Sequence, residues 1–163
     1  MICLIDTSVL IHDLKLECEK IYLTSKVAME ARSLKSKLRL EYILSKAIIY
    51  EPSKNAIKVA NEKSKRFFKK NLSEADIELI AAAIELSEIY KENFIVYTDD
   101  YSIQNILSNL NIRFKSIATL GIKNKIIWKN FCKHCNRFSE SDDLCEICGK
   151  ELVKMPIRVN KLT

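Results

Sequence analysis

Two closely spaced cysteine pairs constrain the fold more than any other feature of this 163-residue sequence. Cys132 and Cys135 form one C-x-x-C pair, Cys145 and Cys148 form the other, and nine residues separate the pairs. Four thiolates at this spacing match a closed tetrahedral Zn²⁺ site, which leaves no position for water. Because so short a segment cannot bury a core, zinc would supply much of its folding free energy. The spacing therefore predicts a structural zinc ribbon.

The segments that flank the cysteines favour strands at 126–131 and 152–159. We expect His134 to be a bystander, and Trp128 and Phe138 could stack on bases, whereas Phe131 is better suited to the ribbon core. The basic residues that give this ribbon a surface suited to phosphates are Lys129, Lys133, Arg137, Lys150, Lys154, Arg158 and Lys161. The remaining cysteines, Cys3 and Cys18, are interpreted as buried thiols of a protein in a reducing compartment.

A different feature dominates the beginning of the chain, where an apolar run stops at a carboxylate. The run Met1–Ile5 has the length of a buried parallel strand, and Asp6 follows it directly. Chemistry in open α/β sheets collects at the carboxyl ends of the strands. Asp6 is therefore the first candidate for a functional site.

Further acids occur where the fold could bring them to Asp6. Glu30 lies early in a predicted helix, Asp76 in the first turn of another, and Asp99 and Asp100 follow the apolar run Phe94–Tyr97. Converging carboxylates repel one another unless a divalent cation lies among them, and Mg²⁺ and Mn²⁺ prefer oxygen ligands. The pattern indicates a metal-dependent site for phosphoryl transfer.

Each acid also has an ordinary structural explanation. Asp6, Asp99 and Asp100 could cap the helices that follow them, and Asp76 completes a capping box with Ser73. Glu30 could be a solvated helix residue. The joint placement of the acids at strand ends and in a first helical turn favours the functional interpretation.

Helical and strand-like segments alternate along residues 1 to about 120. We predict strands near 1–5, 47–51, 94–97 and 112–117, a short strand or connection at 18–24, and helices between them, the clearest at 72–90. Parallel neighbours need helical crossovers, so this order favours a central parallel sheet covered on both faces. The scarcity of glycine and proline, with two of each in the chain, disfavours a turn-rich sandwich or barrel.

With these motifs in place, the first part of the chain resembles the PIN-domain nucleases. The resemblance is carried by Ile5-Asp6-Thr7-Ser8, by Glu30, by Leu72-Ser73-x-x-Asp76 and by Val96-x-Thr98-x-Asp100, in that order, over residues 1 to about 118. It implies a three-layer α/β fold and hydrolysis of RNA phosphodiesters with Mg²⁺ or Mn²⁺.

The same resemblance implies a role for each residue of the site. Asp6 and Asp100 would be inner metal ligands, and Asp76 and Glu30 would bind a second ion or orient the water. Since the family motif places the acid two positions after a threonine, Asp100 has the principal role and Asp99 the less certain one. The residues implied to hydrogen-bond these acids are Thr7, Ser8 and Thr98.

A PIN-like domain followed by a zinc ribbon resembles the archaeal Nin-one-binding family of endonucleases, which mature the 3′ end of small-subunit ribosomal RNA. Thr98-x-Asp100-Tyr-Ser-x-Gln104-Asn105 and Gly121-Ile-x-x-x-Ile126 add to this resemblance. It implies a nuclease domain at 1–120, a linker and first ribbon strand at 121–130, and a ribbon with a basic tail at 131–163. The implied partners are precursor 16S rRNA and the pre-ribosomal small subunit.

Two other functions fit the same residues. One is a toxin-type PIN ribonuclease, which the ribbon argues against; the other is a non-catalytic RNA-binding assembly factor whose acids are caps and ion-pair partners. The formal net charge of +6 fits a polyanionic partner under every one of these functions. We expect a cytoplasmic protein without a membrane partner, and the sequence does not indicate an oligomeric state.

Overall fold

Five parallel strands form the central sheet of the protein. A computed structural model describes residues 1–10, 17–33, 38–67, 72–118, 124–141 and 143–160. The strands are β1 (Ile2–Ile5), β2 (Lys20–Thr24), β3 (Ile48–Tyr50), β4 (Phe94–Tyr97) and β5 (Phe114–Lys115). Their order across the sheet is β3-β2-β1-β4-β5, and every pairing is parallel. The predicted α/β fold with a central parallel sheet is confirmed.

Helices alternate with these strands along the chain. The helices are α1 (Thr7–Leu10), α2 (Ser25–Ser33), α3 (Leu38–Lys46), α4 (Lys54–Phe67), α5 (Glu74–Tyr90) and α6 (Tyr101–Asn109), with a 3₁₀ turn at Lys91–Asn93. No helix in these described ranges has the length and apolar character needed to cross a membrane.

The strand order places a topological switch point between β1 and β4. The chain moves outward from β1 to β3 on one side of the sheet and then crosses to β4 and β5 on the other side. At the switch, the backbone N–H of Asp6 donates to the carbonyl of Tyr97 at 3.0 Å. The carboxyl ends of β1 and β4 therefore adjoin, which is where open α/β sheets bind their ligands.

Helix α5 is the most deeply buried helix that the structure describes. The run from Leu79 to Ala83 is at most 1% exposed, and it packs with Leu4, Ile5 and Phe94 of the central strands. Ser73 caps the helix: its side chain accepts from the N–H of Asp76, whose carboxylate accepts from the N–H of Ser73. This reciprocal capping box fixes the first turn of α5 and the position of Asp76.

A second, antiparallel sheet carries the cysteine pairs. Its strands are β6 (Asn124–Cys132), β7 (Arg137–Ser139) and β8 (Val153–Asn160), in the order β7-β6-β8. The long pairing of β6 with β8 agrees with the two strands expected around the cysteines. Both α4 and α6 contact β6, so the ribbon begins against the helical layer.

The structure corrects one expectation, because Cys3 and Cys18 are joined by a disulfide instead of being free thiols. Cys3 lies in β1 and Cys18 just before β2, and because these strands are neighbours the two sulfur atoms are brought together. Within the strand predicted at 112–117, only β5 (Phe114–Lys115) pairs with the neighbouring strand β4. Gly121 and Lys161, which the sequence motifs include, lie outside the described ranges.

Candidate active site and candidate metal centre

The carboxylate of Asp6 is buried at the switch point and is held by two hydroxyl groups. Ser8 Oγ and Thr98 Oγ1 each donate to Asp6 Oδ2 at 2.7 Å. Ser8 comes from the turn after β1 and Thr98 from the end of β4, where it is fully buried. The two strand ends therefore fix the orientation of one carboxylate, as the sequence motifs predict.

Asp99 and Asp100 follow Thr98 and are held in different ways. Asp100 caps α6, because its Oδ1 accepts from the N–H groups of Ser102 and Ile103 at 2.6 and 3.3 Å. The backbone N–H of Asp100 donates to Thr98 Oγ1 at 3.1 Å, which ties this acid to the group that holds Asp6.

Asp99 instead stabilises the segment that follows β5. Its Oδ1 accepts from Ser116 Oγ at 2.6 Å and from the N–H groups of Ile117 and Ala118 at 2.8 and 3.0 Å. Its own N–H donates to Ser8 Oγ at 3.1 Å. These bonds give Asp99 a clear structural task, whereas Asp100 is tied to Asp6 through Thr98.

Asp76 and Glu30 approach the same segment from two helices. Thr7 Oγ1 donates to Glu30 Oε2 at 2.8 Å, so α2 contacts the residue directly after Asp6. The negative charge of Asp76 contributes to raising the pKa of Asp6, which places α5 close enough for the two carboxylates to repel each other. Every acid predicted from the sequence therefore interacts with the segment 6–8 directly or through Thr98.

The acids are gathered more loosely than the cysteines. Among the described residues, the four cysteines form the group of possible ligands whose atoms all lie within 4.8 Å of one another, and no three acids do so. A hard cation at Asp6 would therefore complete its coordination with water, as Mg²⁺ usually does.

Burial raises the pKa of Asp6 above its ordinary value. Desolvation is the largest cause, and the hydrogen bonds from Ser8 and Thr98 oppose it. A buried anion with another acid nearby is relieved by a bound cation, because the cation supplies the missing positive charge. The donor set thus fits a divalent metal ion such as those that PIN nucleases use.

The four cysteines are arranged as a tetrahedral metal site requires. Cys132 Sγ lies 3.5 Å from Cys148 Sγ, and Cys145 Sγ lies 3.9 Å from Cys135 Sγ. Tetrahedral zinc with bonds of about 2.3 Å separates its sulfur ligands by about 3.8 Å. The sulfur atoms could therefore hold zinc with little rearrangement. His134 is exposed, and its Nδ1 lies 3.3 Å from Lys150 Nζ.

The thiol environments are unequal. Backbone N–H groups of Cys148 and Ile147 lower the pKa of Cys145 to about 6, whereas the side chain of Cys148 raises the pKa of Cys135 to about 12 by hydrogen bonding. Cys145 is therefore more ready to lose its proton than Cys135, and a bound metal ion would displace the protons that remain on its thiol ligands.

The predicted phosphate-binding surface lies mainly in solvent. Its exposed members are Lys129, Lys133, Arg137, Lys150 and Arg158, and Lys154 is half-buried. Phe131 and Phe138 form an edge-to-face pair with ring centroids 5.2 Å apart, and Phe138 remains 47% exposed. Phe131 therefore has the packing role, and Phe138 keeps a ring surface that a base could contact.

Three residues that join the helices carrying Glu30 and Asp76 were not recognised from the sequence. Glu78, 8% exposed, accepts from the backbone N–H of Lys26 at 3.2 Å, and Lys26 Nζ forms an ion pair with Glu74. These contacts join α2, the helix that carries Glu30, to α5, the helix that carries Asp76. An acid inside the apolar run Ile77–Ile80 is the signal that could have revealed Glu78.

Known proteins are similar to this chain over most of its length. A family model described as "PIN domain of ribonuclease" matches residues 3–86, which include Asp6, Glu30 and Asp76. A protein of Pyrococcus abyssi named "Endoribonuclease Nob1" is 36% identical over 160 residues, covering 94% of this chain and 93% of the relative.

Two further relatives extend the comparison. "Endoribonuclease Nob1" of Methanocaldococcus jannaschii is 33% identical over 159 residues, covering 94% of this chain and 77% of its own length. "Ribonuclease VapC1" of Thermoplasma acidophilum is 30% identical over 155 residues, covering 93% of this chain and 77% of its own length. Alignments of this length include the cysteine pairs as well as the parallel sheet.

Proposed function

Because this chain belongs to the PIN-domain ribonucleases and is an endoribonuclease like its archaeal Nob1 relatives, we propose that it cleaves precursor small-subunit rRNA at the 3′ end during ribosome biogenesis. The observation that carries the catalytic part is the buried Asp6 at the switch point, held by Ser8 and Thr98, with Glu30 bonded to Thr7 and the backbone of Asp99 and Asp100 bonded to the same two hydroxyl groups. The rRNA substrate is supported by the resemblance of the whole chain to the archaeal Nin-one-binding family.

We assign the roles within the site from the contacts of each acid. Asp6 and Asp100 bind Mn²⁺ or Mg²⁺ directly, Ser8 and Thr98 orient Asp6, and Thr7 orients Glu30. Asp76 and Glu30 hold a second ion or position the attacking water. The bound cation supplies positive charge that activates water for in-line attack and stabilises the leaving oxygen.

In this proposal the ribbon is a separate RNA-binding arm that begins after about residue 120. Its cysteines hold Zn²⁺ as a structural ion, and its basic residues bind phosphates of the precursor or of the pre-ribosomal small subunit. The chain works in the cytoplasm, where that substrate is found. Disulfides also persist in some intracellular proteins, so the Cys3–Cys18 bond is compatible with this location.

A cleavage assay tests the catalytic assignment. Purified protein is incubated with RNA spanning the 3′ end of the small-subunit precursor, in Mn²⁺, Mg²⁺ or EDTA. We expect Asp6→Asn and Asp100→Asn each to reduce cleavage on the order of 10²-fold or more, because each removes a charge that acts in the transition state. RNA binding should remain, since the residues that bind phosphates lie elsewhere.

Asp99→Asn is the matched control, since it removes the same charge one residue away. Its Oδ1 bonds can be kept by an amide oxygen, so we expect a milder loss. An equal loss at Asp99 would mean that the wrong member of the pair was assigned as ligand, and near-normal cleavage by Asp6→Asn would overturn the site.

The same assay separates the alternatives. Preferential cleavage of transfer or messenger RNA over the precursor would favour the toxin-type ribonuclease, to which the similarity with the VapC1 relative corresponds. The non-catalytic alternative is disfavoured by a family match described as a ribonuclease domain and by relatives named endoribonucleases. The non-catalytic alternative would be favoured only if the protein cleaved no RNA with either metal ion.

A further inference from the structure

One buried side chain joins the helix that follows the acids to the first strand of the ribbon. Asn105 Nδ2 donates to the carbonyl of Ile126 at 3.0 Å, and the N–H of Ile126 donates to Asn105 Oδ1 at 2.7 Å. The side-chain amide of Asn105 thus pairs with both the N–H and the carbonyl of Ile126, as the backbone of a neighbouring strand would. Asn105 is 5% exposed, so water does not compete freely for these bonds.

A second asparagine reinforces this contact. Asn109 lies one helical turn further along α6, and its Nδ2 donates to the carbonyl of Ile126 at 3.3 Å and to the carbonyl of Asn105 at 2.8 Å. Both residues belong to the same face of α6. We call Asn105, Asn109 and Ile126 the asparagine clamp.

The asparagine clamp lies between the acids at the switch point and the cysteines of the ribbon. Asp100 caps the start of α6, and a helical rise of about 1.5 Å per residue puts Asn105 about 7.5 Å further along the axis. Cys132 ends β6, six residues after Ile126, at a strand distance of about 20 Å. One helix and one strand, joined at the clamp, therefore connect the acids with the cysteines.

We propose that Asn105 is a positioning residue that holds the ribbon at a fixed distance and direction from the acids, so that RNA bound by the ribbon is cut at a set position. This inference rests on the proposed function, because it assumes that both parts contact one RNA. Without the clamp, the ribbon would be joined mainly by the chain and by the contact of β6 with α4. Its effective concentration at the correct place would then fall.

Asn105→Asp tests the proposal with almost no change of shape. The variant keeps an oxygen for the N–H of Ile126 but sets a carboxylate oxygen against the carbonyl, so one bond becomes a repulsion. Asn111→Asp is the matched control, because it makes the same change at an exposed position just after α6. Aspartate also tolerates the positive φ of 57° that Asn111 adopts.

The first measurement is physical and needs no activity. Backbone ¹⁵N relaxation reports whether the parallel sheet and the ribbon tumble as one body. We expect one rotational correlation time for the wild type and Asn111→Asp, and two shorter ones for Asn105→Asp, with zinc content unchanged. One common correlation time in a folded Asn105→Asp would overturn the proposal.

The second measurement compares two RNAs. A short RNA that reaches only the acids should be cut by Asn105→Asp at a rate within about twofold of the wild type. The long precursor should be cut at least about tenfold more slowly, or at several positions in place of one. An unchanged rate and a single unchanged position on the long RNA would overturn the proposal.

The two measurements stay informative if the proposed function is wrong or if the first variant is unstable. A wild type that cuts neither RNA would contradict the proposed function, while the relaxation measurement would still decide whether the clamp holds the ribbon. If Asn105→Asp does not fold, Asn109→Ala removes the bonds from Asn109 to the carbonyls of Ile126 and Asn105 and keeps both bonds between Asn105 and Ile126. It should change relaxation and cleavage in the same direction by a smaller amount, and no change in either would count against the proposal.

Discussion

The buried position of Asp6 suits a metal ligand, but without a cation the charged carboxylate lowers the stability of the fold. Burial raises its pKa, and the hydroxyls of Ser8 and Thr98 only partly oppose this effect. A carboxylate with a raised pKa binds its proton more readily in the folded state than in the unfolded state. Between its ordinary pKa of 3.8 and its folded pKa, stability therefore falls as the pH rises.

We therefore predict that Asp6→Asn is more stable than the wild type in EDTA at pH 7. An amide oxygen can accept from both Ser8 and Thr98, so the substitution removes the charge without removing the hydrogen bonds. Thermal unfolding from pH 4 to pH 7 should show a difference that grows as the pH rises through the window above 3.8. Added Mn²⁺ should stabilise the wild type and not the variant. A wild type more stable than the variant in EDTA at pH 7 would contradict this prediction.

Residues that stand out by their local sequence pattern could be predicted. Residues whose role depends on a hydrogen bond to a distant part of the chain could not. Asp6, Asp76 and Asp100 each stand where a strand stops or a helix starts, so local patterns reveal them. Asn105 meets Ile126 across 21 residues and Glu78 meets Lys26 across 52 residues, and no local pattern shows which backbone group each will find.

At the scale of elements, α2 carries Glu30 and α5 carries Asp76, and Glu78 joins these two helices. Its carboxylate accepts from the backbone N–H of Lys26 in the first turn of α2. The order of elements was predictable from apolar runs and caps. The lateral spacing of the helices was not, because it is decided by contacts of this kind.

We predict that Glu78→Leu weakens cleavage by about tenfold or more, while Glu78→Gln stays close to the wild type because an amide oxygen can still accept from Lys26. Leaving that half-buried N–H without an acceptor should also cost about 1 kcal/mol of stability, the low end of the range for a fully buried group. Both the Mn²⁺ dependence and the rate of cleavage should be measured, since a shift of α2 would displace Glu30.

Glu85→Leu is the matched control for this experiment. Glu85 lies on the same helix two turns later and accepts from the N–H of Ser53 and from Tyr50, both at 3.2 Å. It should lose comparable stability with unchanged cleavage. If both leucine variants lose cleavage equally, Glu78 has only a general role in stability.

The disulfide between β1 and the segment before β2 also acts at this scale. The sequence could not predict it, because cysteines separated by 15 residues pair only if the fold brings them together. We predict that Cys18→Ser lowers the free energy of unfolding by about 3 kcal/mol, the value expected for a closed loop of about 15 residues. A reducing agent should lower the stability of the wild type similarly and leave the variant unchanged. Two free thiols in the native protein by mass spectrometry would contradict this prediction.

At the scale of the whole molecule, two sheets with different sources of stability share one chain. The parallel sheet encloses an apolar core, whereas the ribbon has four clustered cysteines that could hold a metal ion. The presence of both parts was predictable from composition and cysteine spacing. Their mutual orientation was not, because it depends on how β6 meets α4 and α6.

We predict that replacing Cys145 and Cys148 by serine unfolds the ribbon from about residue 127 and leaves the nuclease part folded. Cleavage of long RNA should fall through weaker binding. The dependence of log affinity on log salt should flatten by roughly 0.7–0.9 for each phosphate that the variant no longer binds. Zinc content and the salt dependence should be measured together. A variant without zinc that keeps its affinity and salt dependence would show that the ribbon docks onto protein and not RNA.

The two cysteine pairs share a backbone feature that gives the ribbon an internal symmetry. The residue directly after each pair lies in the left-handed region, Asn136 with φ of 54° and Gly149 with φ of 66°. Asparagine and glycine are the residues that adopt this conformation at least cost. A Cβ at Gly149 would meet nothing within 4 Å, so backbone strain alone restricts that position. The ribbon thus uses one five-residue unit twice, so that the same left-handed backbone turn follows both cysteine pairs.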